Sequence, residues 1–160
     1  MLILLPSSLA DAQGVAGAQG PDVLMVRLIG SGGSATIDGK HHRSSEVGAD
    51  LMLPANDRQR YGLRISSINL DVSGKKQNYL CVGVMLETVM FNWCRMEIGT
   101  VGFVGRGDLS GSNPFGLASF FGYEKKLGQF SFTIGYDSKI IFTKPSITVN
   151  GLGVGVGYHF

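Results

Sequence analysis

The last eleven residues, Asn150-Gly-Leu-Gly-Val-Gly-Val-Gly-Tyr-His-Phe160, constrain the fold more than any other stretch of the chain. Leu152, Val154, Val156, Tyr158 and Phe160 alternate with Gly151, Gly153, Gly155, Gly157 and His159. In an extended strand, successive side chains point to opposite faces, so one face here is an apolar row and the other is almost bare. Such a strand suits a wall with oily solvent outside and a crowded interior, which describes a small transmembrane β-barrel. A buried sandwich strand also alternates, but chain termini usually fray into water instead of closing on an aromatic residue.

Composition narrows the choice. At 160 residues the chain is long enough for one domain. No apolar run reaches the ~18 residues of a spanning helix. A membrane-spanning form of this chain is therefore a closed sheet, because only helices and closed sheets pair every backbone polar group in lipid. Twenty-four glycines fit tight turns and close strand packing, and a formal charge of +2 gives no sign of a nucleic-acid surface. The chain end resembles the C-terminal assembly signal of bacterial outer-membrane proteins, with Gly155, Tyr158 and Phe160 in the positions of its Gly and two alternating aromatics. That resemblance implies an outer-membrane location and the outer-membrane assembly machinery as a partner. Residues 1–12, a short apolar run ending in Ala10-Asp11-Ala12, resemble the back half of a secretory signal peptide without its basic start. The barrel is then expected over residues 22–160.

Eight strands are predicted near 22–30, 45–53, 60–72, 76–88, 91–104, 114–123, 129–138 and 147–160, separated by Gly, Ser, Asn and Pro clusters. The expectation is an all-β, eight-stranded, antiparallel up-and-down barrel with long outer connections at 31–44, 105–113 and 139–146. Parity along the strands turns Leu24, Val26, Leu28, Val47, Leu51, Leu80, Val84, Phe121, Phe132 and Ile134 outward. The same parity turns Arg27, Asp50, Arg64, Arg95, Glu97 and Asp137 inward, where charges of both signs must pair to be tolerated, so a buried ionic network is expected in place of a pore. The apolar phase changes between Tyr61/Leu63/Ile65 and Ile68/Leu70/Val72, which reads as a β-bulge at Ser66-Ser67. Cys81 falls on the inner face and Cys94 on the outer, so two free thiols are expected.

From about Arg95 to Phe160 the chain resembles the PagL-type lipid A 3-O-deacylases, eight-stranded outer-membrane barrels that remove an acyl chain from lipopolysaccharide. The resemblance rests on the Gly-rich, Glu-containing segment Met96–Gly105, and on Gly135-Tyr136-Asp137-Ser138 followed twelve residues on by Asn150. It implies lipopolysaccharide as a partner and, for an active member, an ester hydrolase with a Ser nucleophile, a His two residues before it and a Glu on the last strand, with no metal or cofactor. Here those positions hold Ser138, Tyr136 and Asn150. A tyrosine with a pKa near ~10 is a poor base for a serine at neutral pH, so the matched triad is degenerate. The three residues also read as an interfacial aromatic beside a rim serine and a turn-favouring asparagine.

His41 and His42, in the first expected outer loop, are alternative bases for Ser138, with Glu46 to orient one of them, although a solvated histidine pair is the plainer reading. Lys139, Lys144 and Arg106 are candidate contacts to lipid A phosphates, or simply basic groups snorkelling at the interface. Arg106-Gly107-Asp108 spells an adhesion tripeptide, and three residues in a Gly-rich turn arise easily by chance. A non-catalytic surface barrel of the OmpX kind, stabilising the membrane or binding a partner through its loops, is the alternative to an enzyme-derived one.

Overall fold

The structure, a computed structural model, describes residues 24–91, 93–103 and 115–160. Eight strands follow in order: β1 (Met25–Ile37), β2 (Lys40–Pro54), β3 (Gln59–Val72), β4 (Lys75–Met90), β5 (Cys94–Phe103), β6 (Phe115–Leu127), β7 (Phe130–Phe142) and β8 (Ile147–His159). Each pairs antiparallel with the next, and β8 closes on β1 from Met25↔His159 to Ile37↔Ile147. The strand that pairs with β1 on its other side is thus the last one, as expected for a closed up-and-down barrel. The expected signal segment at 1–12 lies outside the described residues, as do Gly105, Arg106 and the adhesion tripeptide.

The register fixes the shape. From Val26 the paired row runs through Leu51, Leu63, Val84, Thr100, Leu117, Ile140 and Thr148 and returns to β1 at Thr36, ten residues further along. A stagger of that size around eight strands is the tilted geometry that leaves an interior just wide enough for side chains to fill.

Exposure follows the parity expectation. Leu28, Val47, Leu63, Val84, Ile98, Phe121, Phe132 and Val154 all face outward and are exposed, while Arg27, Asp50, Glu87, Arg95 and Glu97 are buried inside. The interior is filled in layers. Met25, Met52 and Met85 are buried within it, a group of charged residues occupies the middle, and Ala35, Ile37, Ile68, Leu70, Tyr79, Ile141, Ile147 and Val149 form an apolar plug at the end far from the termini. A cavity of about 20 Å³ lies beside the charged groups, lined by Glu46, Arg64, Arg95, Phe120, Thr133 and Asp137, and holds on the order of one water molecule. The barrel is a packed core and not a channel.

Three expectations are corrected. First, residues 31–44 are not a loop. β1 and β2 run on to a two-residue hairpin at Asp38-Gly39, and β3 and β4 meet likewise at Ser73-Gly74. All four turn residues have positive φ, 49°, 72°, 53° and 80° in chain order, as the tight hairpin turn matching strand twist demands. The Gly/Ser-rich segments were loop-like in composition, but Ala35 and Ile37 fill the interior while Ser34 and Thr36 face out. Second, the connection after β7 is only 143–146, because β7 continues past residue 138 to Phe142. Third, β3 carries no bulge: Ser66 and Ser67 pair in unbroken sequence with Gly48 and Val47 on one side and Cys81 and Leu80 on the other. The change of phase instead marks where apolar residues leave the outer face and enter the plug.

Both cysteines are free and buried. Cys81 shares the inward parity of Met85, whereas Cys94 stands opposite the outward Tyr123. Identical migration on reducing and non-reducing gels, with two thiols titratable after unfolding, is the expected outcome, and a bonded pair would mean that the β4–β5 register is wrong.

Candidate functional site

The residues aligned with a hydrolytic site come from adjacent strands, and only two of them meet. Ser138 and Asn150 stand directly opposite each other on β7 and β8, both facing outward and half-buried. The Ser138 hydroxyl donates to Asn150 Oδ1 at 2.8 Å. That bond points the serine proton at an amide carbonyl, which cannot accept it as a base would. Tyr136, two residues back on the same face, is 56% exposed in a wall of apolar neighbours and pairs with Leu152. With β7 extending to Phe142, Ser138 lies four residues below the strand end, with Ile140 and Phe142 outward above it.

The alternative bases are not brought to it. His41 and His42 belong to β2, separated from β7 by β1 and β8. His41 pairs with Thr36, and its Nδ1 lies 3.1 Å from Thr36 Oγ1. His42 has inward parity, opposite the buried Ala35, and the residue facing Asn150 from β1 is Ser34. Glu46, the expected orienter, points into the barrel and binds Lys139 at 2.6 Å. The relocated triad is therefore not assembled, because β1 and β2 form a hairpin paired as far as Ile37↔Lys40 where a leaning loop was expected.

Lys139 is the second misplaced residue. Expected at the rim as a phosphate contact, it is 2% exposed and sits inside between Glu46 and Asp137. Its parity with Asp137 on β7 carried this information. Lys144, by contrast, is exposed in the β7–β8 connection. At the chain end, Gly155 faces inward, while Tyr158 packs edge-on against Phe130 at 5.2 Å and Phe160 at 4.9 Å, and its hydroxyl donates to Gln129 at 2.9 Å. These rings form an aromatic cluster at the terminal end of the wall.

The densest chemistry lies inside the barrel. Arg27 binds Asp50, Glu87 and Glu97 together. Arg64 reaches Asp50 at 2.7 Å and Glu97 at 3.0 Å, and Arg95 reaches Glu87 at 2.9 Å and Glu97 at 2.5 Å. Toward the terminal end, Arg60 bonds Glu87 at 2.6 Å, and Glu124 lies 3.5 Å from both Arg60 and Arg95. Arg95 also lies over the Phe120 ring, 4.6 Å from its centroid. Glu87 and Glu97 are direct cross-strand partners, a juxtaposition of like charges that is ordinarily destabilising. It persists because Arg27 and Arg95 each touch both carboxylates. Among the described residues this group has four guanidinium groups and four carboxylates, so its charge balances. Glu87, Arg60 and Glu124 were not among the expected members, though the inward parity of Cys81 places Glu87, that of Arg64 places Arg60, and the outward Phe121 and Tyr123 place Glu124 inside.

Comparison with known proteins agrees with the fold. No protein-family model matches the chain, and no curated protein does. Among solved structures, the crystal structure of Neisserial surface protein A aligns over 86% of this chain and 97% of its own, with a TM-score of 0.58 and 13% identity. A structure from the de novo design of transmembrane β-barrels aligns over 89% and 98%, with a TM-score of 0.50 and 10% identity. The outer membrane protein Ail of Yersinia pestis aligns over 84% and 99%, at 0.45 and 15% identity. The fold is thus that of the eight-stranded outer-membrane barrels, and the exposed apolar belt is the surface such a barrel sets against lipid.

The network yields a test. Arg27→Met should leave three buried carboxylates short of a counter-charge and destabilise the folded barrel by about 3–5 kcal/mol, whereas Arg27→Met with Glu97→Gln should recover much of the loss. Urea midpoints of the folded band on unheated gels would read both, and a single variant as stable as the parent would show that the cluster is not held by Arg27.

Proposed function

We propose that this chain is an outer-membrane barrel whose far end faces lipopolysaccharide and whose deacylase-like positions are degenerate, so that it does not hydrolyse lipid A. The observation that carries this reading is the Ser138 hydroxyl donating to Asn150, with Tyr136 standing in the lipid-facing wall where a base would be needed. General-base assistance is typically worth ~10²–10⁴ in rate, and the histidines that might have supplied it are held elsewhere, His41 at Thr36. The lipopolysaccharide-facing part of the reading is supported by the polar exterior of the far end, where His41, Arg43 and Lys144 are exposed and available to phosphate groups. Lys139 has no part in that contact. Gly155, Tyr158 and Phe160 fit recognition by the assembly machinery, for which Phe160, 61% exposed at the chain end, is accessible.

Mass spectrometry of lipid A from cells with and without the protein is the direct test, and the two spectra should match. Loss of one acyl chain on expression would overturn the reading. The variant Tyr136→His with Asn150→Glu supplies a base and a carboxylate on the same outward face. Deacylation gained by this variant and abolished by Ser138→Ala would mark a relic of the enzyme family, whereas a correctly folded but inert variant would reduce the resemblance to shared barrel architecture.

A further inference from the structure

The apolar rows on opposite walls of the barrel differ in height. On β7 the outward residues Phe130, Phe132, Ile134, Tyr136, Ile140 and Phe142 are exposed and apolar or aromatic, interrupted only by Ser138. On β3, four strands away, the outward row is Tyr61, Leu63 and Ile65, after which Ser67, Asn69 and Asp71 follow. Along a strand rising ~3.3 Å per residue and tilted ~40°, the β7 row covers ~30 Å of barrel axis and the β3 row only ~10 Å. The flanking rows Val47–Leu53 on β2 and Leu80–Leu86 on β4 cover ~15 Å each by the same rise and tilt. The apolar band of such barrels is ~25 Å tall. One wall meets that height and the other falls well short.

The short wall cannot be lengthened by repacking. Ile68, Leu70 and Tyr79 already occupy the inward positions at its far end. The outward groups there bond to one another: Ser67 Oγ donates to Asn78 Oδ1 at 3.1 Å, and Asn78 Nδ2 donates to Asn69 Oδ1 at 2.8 Å. Each amide keeps further donor and acceptor capacity facing outward. Above them Arg43, Asp71 and Lys76 pair across β2, β3 and β4 in alternating sign. We infer that the bilayer is thinner against the β2–β4 wall than against the β6–β7 wall, so that the headgroup layer of the far leaflet descends onto Ser45, Ser67, Asn69 and Asn78. Deforming a bilayer by a few ångströms is a modest cost, less than leaving a row of amides and hydroxyls in hydrocarbon. This inference is independent of lipopolysaccharide and of any hydrolysis, since it concerns any zwitterionic or sugar-bearing headgroup.

Depth-resolved tryptophan quenching tests it. The chain has one tryptophan, so Trp93→Phe gives a silent background for single probes. The paired row from Ile65 reaches Phe142 on β7, and the stagger lifts that row by about five residues over four strands. Ile140 therefore stands level with the Ser67–Asn69 segment, and Phe132 is nearly level with Tyr61. Ser67→Trp, Ile140→Trp, Tyr61→Trp and Phe132→Trp are each refolded into phosphatidylcholine vesicles brominated at defined acyl depths. Folding is verified by gel mobility, and Ser45→Trp substitutes if the Ser67 variant does not fold. The expected result is that acyl bromines quench the probe at 140 but not that at 67, with equal depths for the probes at 61 and 132. Equal quenching at 67 and 140 would overturn the inference. A probe at 61 lying deeper than that at 132 would show a rigidly tilted barrel in a uniform bilayer and overturn it too, as would a probe at 140 beyond the reach of every bromine.

Discussion

Everything in this molecule depends on the closure of β8 onto β1. A sheet in lipid has no water to pair its edge strands, so an open edge would leave a row of unpaired N–H and C=O groups at several kcal/mol apiece. Closure removes the edge and at once divides every strand into a lipid face and a core face. It also demands close approach of the two backbones. A side chain at Gly33 would place its Cβ 2.0 Å from the Asn150 carbonyl oxygen, so the seam is made with glycine on the crowded side.

The narrow interior then dictates its own chemistry. A barrel with this stagger has no room for a column of bulk water, and the charged residues that face inward must neutralise one another in place. The solution is a compact lattice in which each of Arg27, Arg64 and Arg95 spans two or three carboxylates and in which two glutamates directly opposite each other are held by shared guanidinium groups. Arginine suits this task because its planar fork donates in several directions at once. Above the lattice the core becomes apolar while the exterior of β1 to β4 becomes polar, so these strands reverse their faces along their length. That reversal makes the lipid belt uneven.

The same reversal separates what was legible from what was not. Where apolar residues alternate over a lipid-facing stretch, as in Leu152 to Phe160 or Phe130 to Tyr136, sequence reading gave the right strand and the right face. Where the chain passes beyond that stretch the pattern inverts, so the phase change at Ser66-Ser67 reads as a bulge and residues 31–44 read as a loop. Both errors have one cause. Local composition reports how polar a segment is, but not which side of the wall its polar groups occupy. The candidate site suffers from this directly, since His41 belongs to a paired hairpin and Lys139 to the core, and neither is placed to serve Ser138.

By itself the sequence determined the class of fold, the number of strands, the order of their pairing, the free cysteines and most of the inward charges, because all of these follow from period-two alternation under the demand that backbone groups be paired. Only the tertiary structure decided which charges meet, that Ser138 bonds Asn150 instead of a base, and that the apolar belt is tall on β7 and short on β3. Those outcomes depend on register and stagger around a closed ring. They are properties of eight strands together, and no single strand encodes them.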